Sequence, residues 1–258
     1  MNVKKEYRVG EIGYNNKGTK MKIIVYRNWD DMIIEFQDDH KYKTKTTYNS
    51  FKKGTVKNPF DRTIYNVGYK GVGKYNILQH GRIYDTWTGL LRRCYDPYTL
   101  NKEPTYINCI VEDELLNFQN FAKWYEENYY EVDNEQMELD KDILLKNNKV
   151  YCKEYMIFVP KRINLLIVNS KNRRGELPIG VNYYNKHHDK FYAQCSIVDE
   201  HGKTKRQQIG VYNTVDEAFL NYKEYKERYI KKIADEYKSV IPEKLYVALY
   251  NYKIEITD

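Results

Sequence analysis

The chain has 258 residues, with 43 lysines and arginines against 36 aspartates and glutamates, and its formal net charge is +7. No run of about 18 apolar residues occurs, so we expect no membrane span and no membrane partner. The lysines after Met1 are not followed by an apolar segment, so we expect no signal peptide and a cytoplasmic location. Four scattered cysteines predict buried thiols in a reducing compartment and argue against a zinc site: Cys94, Cys109, Cys152 and Cys195.

The charge is unevenly distributed along the chain. Residues 1–81 carry 16 lysines and arginines against 8 acidic residues, and residues 160–258 carry 18 against 13. Residues 112–142 carry only 2 against 11. Basic segments on either side of an acidic one fit a chain that contacts nucleic-acid phosphates in two places. The same composition could serve solvation alone, and the acidic segment could instead contact a host protein.

Residues 1–58 are interpreted as a small basic antiparallel β module. Strand-like runs, separated by polar turns, occur at 7–13, 20–26, 32–36 and 42–48. Lysines gather towards the end of the module, and Lys52 and Lys53 are candidate contacts to a DNA backbone. Lysines near an edge strand could instead serve to prevent pairing between sheets.

Residues 59–80 contain several glycines and turn signals and are interpreted as a linker. Periodicity beyond the linker predicts helices over 84–95 and 113–129, and a short strand over 106–111. Arg92 and Arg93 end the first of these helices at the border between core and solvent. Both arginines are therefore candidate contacts to phosphates.

Residues 137–164 predict a hairpin with a polar turn at 147–149 and a short helix after it. Asp140, Asp142 and Asn164 carry oxygen atoms that could bind a hard divalent cation, with the two aspartates as the metal ligands. None of the five histidines lies in this hairpin, and Lys141 stands between the carboxylates. The aspartates could instead stabilise the turn by accepting hydrogen bonds from the backbone.

Residues 177–237 predict three short strands followed by one helix. Thr214 followed by Glu217 is a capping box, which begins the helix at Val215. In the second strand, Phe191, Ala193, Cys195 and Ile197 alternate with Tyr192, Gln194 and Ser196. An apolar stripe on the helix is formed by Ala218, Tyr222, Tyr225, Tyr229 and Ile233. We expect the helix to cover the first strand face and to leave the second one open.

The open face of this predicted sheet carries amide, hydroxyl and guanidinium groups. Its members are Asn182, Tyr184, Tyr192, Gln194, Ser196, Arg206 and Gln208. Groups of this kind read base edges in the major groove of double-stranded DNA. A polar sheet face can also be an ordinary solvated surface.

The order of residues in this unit resembles the Apetala-type (ethylene-response-factor) DNA-binding domain. The resemblance rests on Gly180-Val181, Phe191-Tyr192-Ala193, Ile209-Gly210-Val211-Tyr212, Thr214 and Glu217-Ala218. It implies a three-stranded sheet that lies in the major groove with a helix behind it. Arg206 is retained, but Asn182 and Tyr184 stand where the family has arginines, and Gln208 where it has tryptophan. The family's base preference therefore does not carry over.

The preceding part of the chain resembles phage and mobile-element proteins of the HNH or homing-endonuclease type, which often carry an Apetala-type domain at the C-terminus. The matching order is Trp87, Arg93-Cys94, Tyr106, Cys109, Phe118, Phe121, Trp124, Leu139-Asp140 and Asn164. The resemblance implies a bacterial host cell, and Mg²⁺ or Mn²⁺ as cofactor if the chain is a nuclease. Where a histidine base would follow Asp140, this chain has Lys141.

These patterns predict an α+β fold with four parts: the β module 1–58, the linker 59–80, an HNH-like central domain 81–170, and an Apetala-type domain 177–258 with a short terminal helix. The predicted function is binding of double-stranded DNA, with possible metal-dependent nicking or cleavage. Two alternatives stay open. One is a DNA-binding regulator that has lost its chemistry, favoured by the missing histidine, and the other is a phage counter-defence protein that inhibits a host defence nuclease.

Overall fold

The computed structural model describes residues 8–167, 176–184, 189–199 and 203–258. The chain divides into two compact units, an N-terminal unit (Met1–Tyr125) and a C-terminal unit (Glu126–Asp258). Each unit combines helices with antiparallel sheet, so the fold class is α+β, as predicted. Within the described ranges, no helix has the length and apolarity that crossing a membrane requires.

A four-stranded antiparallel sheet begins the N-terminal unit. Its strands are hydrogen-bonded in the order β1 (Ile12–Tyr14), β2 (Lys20–Asn28), β3 (Asp31–Phe36) and β4 (Lys43–Thr46). Alternation along β3 buries Met32, Ile34 and Phe36 completely, against Phe51 from the short helix α1 (Tyr48–Lys52). The first predicted strand, 7–13, is largely wrong. Tyr7 lies outside the described residues, and the strand β1 begins only at Ile12, after Gly10 has turned the chain with a φ of 93°.

The rest of the N-terminal unit is mainly helical. Its elements are α2 (Gly81–Tyr95), α3 (Pro97–Lys102), a 3₁₀ turn (Pro104–Tyr106), β5 (Ile110–Val111), a second 3₁₀ turn (Asp113–Leu116) and α4 (Phe118–Asn128), which runs past the unit boundary. The predicted strand 106–111 is reduced to β5, because Asn108 adopts a left-handed φ of 66°. The predicted helix 113–129 is interrupted at Asn117, whose backbone is extended and whose side chain accepts a hydrogen bond from the Gln119 amide at 3.0 Å.

The segment interpreted as a linker is packed against its own unit. The Tyr69 amide donates to the Leu116 carbonyl at 3.0 Å, and the Phe118 amide donates to the Tyr69 carbonyl at 2.9 Å. A side chain at Gly68 would come within 2.4 Å of Leu91. The glycines here thus permit close approach of the backbone to helices and do not mark a flexible connection.

The C-terminal unit contains a hairpin and a three-stranded sheet. Its elements are β6 (Met137–Asp140), β7 (Val150–Tyr151), β8 (Ile157–Pro160), α5 (Lys161–Ile167), β9 (Val181–Tyr183), β10 (Phe191–Val198), β11 (Thr204–Tyr212), α6 (Val215–Tyr237) and α7 (Glu243–Tyr250). The strands β6 and β8 pair antiparallel, and the larger sheet has the order β11-β10-β9. The helix α6 has the predicted bounds, and Thr214 Oγ1 accepts from the Glu217 amide at 3.2 Å.

One hydrophobic core joins the hairpin to the three-stranded sheet. Ile157 and Val159 of β8 are buried in the same cluster as Ala193 and Cys195 of β10 and Ile233 of α6. The unit boundary at Tyr125–Glu126 lies inside the predicted central domain 81–170. The helix α2 and the hairpin therefore belong to different units, and the hairpin shares its core with the segment predicted as a separate DNA-binding domain.

Candidate nucleic-acid interface

Polar side chains from all three strands of the C-terminal sheet are cross-strand neighbours. Tyr192 of β10 pairs with Asn182 of β9, while Gln194 pairs with Gln208 and Ser196 with Arg206 of β11. Because side chains alternate along a strand, paired positions project to the same side of the sheet. The opposite side carries Ala193 and Cys195, which are fully buried beneath α6.

A β-bulge makes this arrangement possible. The register between β10 and β11 shifts between Ala193 and Gln194, so that Ala193 pairs with Gly210 but Gln194 pairs with Gln208. Ile209 is the extra residue of β11 at this point. Without the shift, Arg206 and Gln208 would project towards the α6 side, away from Ser196 and Gln194.

The polar face is open at the side formed by β11. Ser196, Arg206 and Gln208 are exposed, whereas Asn182, Tyr192 and Gln194 are half-buried. Among the described residues, Arg206 has no ion pair, in contrast to Lys205, whose ammonium lies 3.3 Å from the Asp199 carboxylate. The guanidinium of Arg206 is therefore available to a ligand.

Tyr184 and Ile197 lie at the ends of their strands. Tyr184 lies one residue beyond β9, is 54% exposed and continues the ladder through its amide, which donates to the Lys190 carbonyl at 2.9 Å. Ile197 was predicted to lie in the core but is only half-buried. Val198 is buried instead. The Tyr229 hydroxyl accepts a hydrogen bond from the Val198 amide and donates one to the Val198 carbonyl, both at 2.9 Å, which fixes this end of β10 against α6.

The predicted backbone contacts Lys52, Lys53, Arg92 and Arg93 all lie in the N-terminal unit. The Lys52 ammonium is 3.2 Å from the Glu11 carboxylate, and Lys53 is an exposed cap of α1. Arg92 is exposed, but the Arg93 guanidinium stacks over Tyr106 at 5.8 Å. Lys53 and Arg92 can therefore contact the phosphates of a nucleic acid. Lys52 and Arg93 instead make contacts within the unit, which serve charge balance and packing.

Asp140 holds the turn that follows β6. Its Oδ1 atom accepts hydrogen bonds from the amides of Asp142 and Ile143, both at 2.7 Å. Burial raises the pKa of the Asp140 carboxyl above its ordinary value, although the two backbone hydrogen bonds oppose this shift. These contacts match the alternative in which the carboxylate stabilises a turn.

The neighbouring side chains are also engaged with the protein. The buried Lys141 ammonium donates to Asp142 Oδ2 and to the Asn148 carbonyl, both at 2.6 Å. Asn164 donates its amide to Glu138 at 2.5 Å and does not extend the aspartate pair. No cluster of three or more His, Cys, Asp or Glu side chains that could hold a metal ion occurs in the described part of the chain. Asp140, Lys141 and Asn164 are thus engaged with the protein, whereas Asp142 Oδ1 is buried without a hydrogen-bond partner among the described residues. A Mg²⁺ or Mn²⁺ site at these aspartates stays a prediction.

Known proteins offer no guide to this interface. No family model matches the chain, and no match to it is found among curated proteins or solved structures. The resemblances to Apetala-type and HNH-type proteins stay predictions, and the candidate function depends on the geometry of the C-terminal sheet.

One residue that sequence reasoning missed is Lys226. It lies on α6 between Tyr222 and Ile230 in the apolar stripe and is only 6% exposed. The spacing from Tyr222 to Lys226 and then to Ile230 is four residues in each step, so a lysine in the middle of an apolar helix face was the available signal. Buried lysines are rare unless they are paired or functional.

Proposed function

We propose that the chain binds double-stranded DNA with the polar face of its C-terminal sheet in the major groove. The observation that carries the proposal is the cross-strand pairing of Gln194 with Gln208 and of Ser196 with Arg206 on one side of the sheet. A side-chain amide can bond adenine, and a guanidinium can bond guanine, each through two hydrogen bonds in this groove. The groove admits a two-stranded ribbon such as β10 and β11.

Contacts to phosphates would supply most of the affinity in this proposal. Lys190 and Lys203 flank β10 and β11, are exposed and form no ion pair with another described residue. Lysines at the rim of a sheet that reads base edges can contact the phosphates on either side of the groove. Lys53 and Arg92 of the N-terminal unit are additional candidates for such contacts.

We favour a DNA-binding protein without cleavage chemistry at the hairpin over a nuclease. Asp140 and Lys141 make hydrogen bonds within the turn, and Asp142 Oδ1, which has no partner among the described residues, is buried. A general base would need a free acceptor that the water it activates can reach. Metal-dependent nicking and the counter-defence alternative remain outcomes of the tests. A chain that shows no duplex binding at low salt would favour the counter-defence alternative.

Selection of binding sites from a random duplex library tests the proposed readout. We expect the wild-type chain to enrich a defined sequence, because the paired amides and the guanidinium distinguish base pairs. The variants Arg206→Ala and Gln194→Ala should each lose about 1–3 kcal/mol of affinity for that site and accept more sequences. The double variant Lys53→Ala with Arg92→Ala should instead weaken binding to selected and random duplexes alike.

A matched control for the readout is Lys232→Ala. This lysine lies on α6, and its side chain is 71% exposed. The variant removes one positive charge from the C-terminal unit without altering the sheet. Equal losses from Arg206→Ala and Lys232→Ala on the selected site would remove the sheet from its proposed role.

A further inference from the structure

A polar cavity of about 430 Å³ lies beside β10 in the C-terminal unit. It is bordered by Asn182, Gln194, Ser196 and Arg206 from the polar sheet face and by Lys226 from α6. Strand β9 pairs with β10 from Phe191 to Ala193, and one further hydrogen bond joins the Gln194 amide to the Gly180 carbonyl at 2.8 Å. Beyond Gln194, no strand in the described part of the chain lies beside this edge of β10. This gap explains how groups from the polar face and from the helix can meet around one sheet edge. A volume of this size suits a small ligand, for which pockets of about 300–1,000 Å³ are usual.

Lys226 brings an amine without a partner among the described residues to this cavity. The residue is only 6% exposed, and its side chain forms no hydrogen bond or ion pair within the described part of the chain. Burial lowers the pKa of Lys226, and the Cys195 thiol beneath it opposes this shift only in part. A largely buried lysine without an anionic partner holds its charge at a cost, so an anion bound in the cavity would stabilise the charged form.

Among the described residues, Asp258 is the one carboxylate that borders the cavity, and its charge is already neutralised. Asp258 lies at its wall, but the Asp258 carboxylate is 2.6 Å from the Lys146 ammonium and also accepts the Glu255 amide at 2.9 Å. Among the described residues that line the cavity, Lys226 and Arg206 therefore leave an excess of positive charge. Asn182, Gln194 and Ser196 add neutral groups that can donate hydrogen bonds.

We propose that this cavity is a binding site for a phosphate group, with Lys226 and Arg206 as its cationic ligands and the neighbouring amides and hydroxyl as hydrogen-bond donors. The ammonium of Lys226 suits a phosphate as a point charge, and the guanidinium of Arg206 can add two parallel hydrogen bonds. The phosphate can come from a DNA backbone or from a free phosphate compound such as a nucleotide. The site shares Arg206, Gln194 and Ser196 with the face proposed to read bases. Lys226 belongs to the phosphate site alone, so variants of Lys226 distinguish the two proposals.

Calorimetric titration of the full chain with inorganic phosphate at low salt tests the site. We expect saturable binding with one phosphate per chain at about millimolar concentration or below. Lys226→Met keeps the length and apolar stem of the side chain but removes its charge, and affinity should fall at least about tenfold with the loss of a charged hydrogen bond. Lys232→Met is the matched control on the same helix and should bind phosphate as the wild type does.

Two further titrations identify the source of the phosphate. If a short duplex competes with inorganic phosphate and the Lys226→Met variant also binds that duplex more weakly, the group belongs to the DNA backbone. If a deoxynucleoside monophosphate binds more tightly than phosphate while the duplex does not compete, the site holds a free nucleotide. Phosphate binding without duplex binding would contradict the proposed DNA contact and would still support this phosphate site.

Two results would overturn the site. One is the absence of phosphate binding to the wild-type chain up to about 10 mM. The other is unchanged binding in Lys226→Met. Circular dichroism checks that the variant is folded. If Lys226→Met does not fold, the phosphate affinity of Arg206→Gln is compared with that of the wild type instead, because Arg206 is exposed on a strand. Unchanged affinity in Arg206→Gln would also overturn the site.

Discussion

Replacing Asp140 by alanine is expected to lower the free energy of unfolding by about 2–3 kcal/mol, because two backbone amides lose a charged acceptor inside the C-terminal unit. Both amides, of Asp142 and Ile143, bond the same Asp140 oxygen at 2.7 Å. Asp140→Asn keeps an oxygen that can accept both hydrogen bonds and removes a buried charge. Its free energy of unfolding at neutral pH should therefore stay close to that of the wild type. Urea denaturation of the three proteins measures both differences.

The pH dependence of the same comparison has a definite sign. Burial raises the pKa of Asp140 in the folded chain above the ordinary value of 3.8. The folded state therefore holds its proton to a higher pH than the unfolded state does. Relative to Asp140→Asn, the wild type should gain stability as the pH falls through the raised pKa, and the gain should level off below the ordinary value.

Plasmid nicking separates this structural role from a catalytic one. We expect no nicking that requires both Asp140 and added Mg²⁺ or Mn²⁺. A folded Asp140→Asn variant that loses metal-dependent nicking present in the wild type would make Asp140 a metal ligand, and the turn-stabilising role would then be secondary. Nicking that persists both in the variant and in the presence of a chelator would show that the activity comes from another site or from a contaminant.

Duplex affinity should fall steeply as salt rises. Lys190 and Lys203 are exposed beside the polar face and have no ion pair within the described residues. Two phosphate contacts release about two counterions, so affinity should drop about twelvefold between about 50 and 200 mM salt. Fluorescence anisotropy of a labelled duplex at four salt concentrations gives the slope. An affinity that does not change with salt would mean that the chain does not contact phosphates. The variant Lys190→Ala should make the slope shallower by roughly one unit.

Local patterns in the sequence were sufficient to predict the helix α6 and the buried face of β10 in the C-terminal unit. The capping box at Thr214 and the apolar stripe gave α6 its observed bounds, and alternation along β10 identified Ala193 and Cys195 as buried. These features depend on neighbours a few residues apart. The polar residues of β10 were predicted for the same reason, since period-two alternation fixes which side chains of one strand share a side.

Features that depend on distant contacts were not predictable. The bulge at Ala193 and Gln194 is a property of how β10 meets β11, and either strand alone reads as regular. The common core of the hairpin and the sheet joins residues such as Ile157 and Ile233, which are far apart in the chain. The burial of Lys226 had a local signal in the apolar face of α6, but the cavity beside it depends on how β9 meets β10 and had none.

Photocrosslinking tests the central claim, that the polar face of the C-terminal sheet contacts the major groove. Bromine on 5-bromodeoxyuridine occupies the position of the thymine methyl group, which lies in the major groove. Irradiation of the full chain with a duplex that carries this base should give crosslinks at Tyr192 or Tyr184, which mass spectrometry would locate, and Arg206→Ala should reduce their yield. Crosslinks confined to residues 8–125, with none between residues 176 and 212, would contradict the claim.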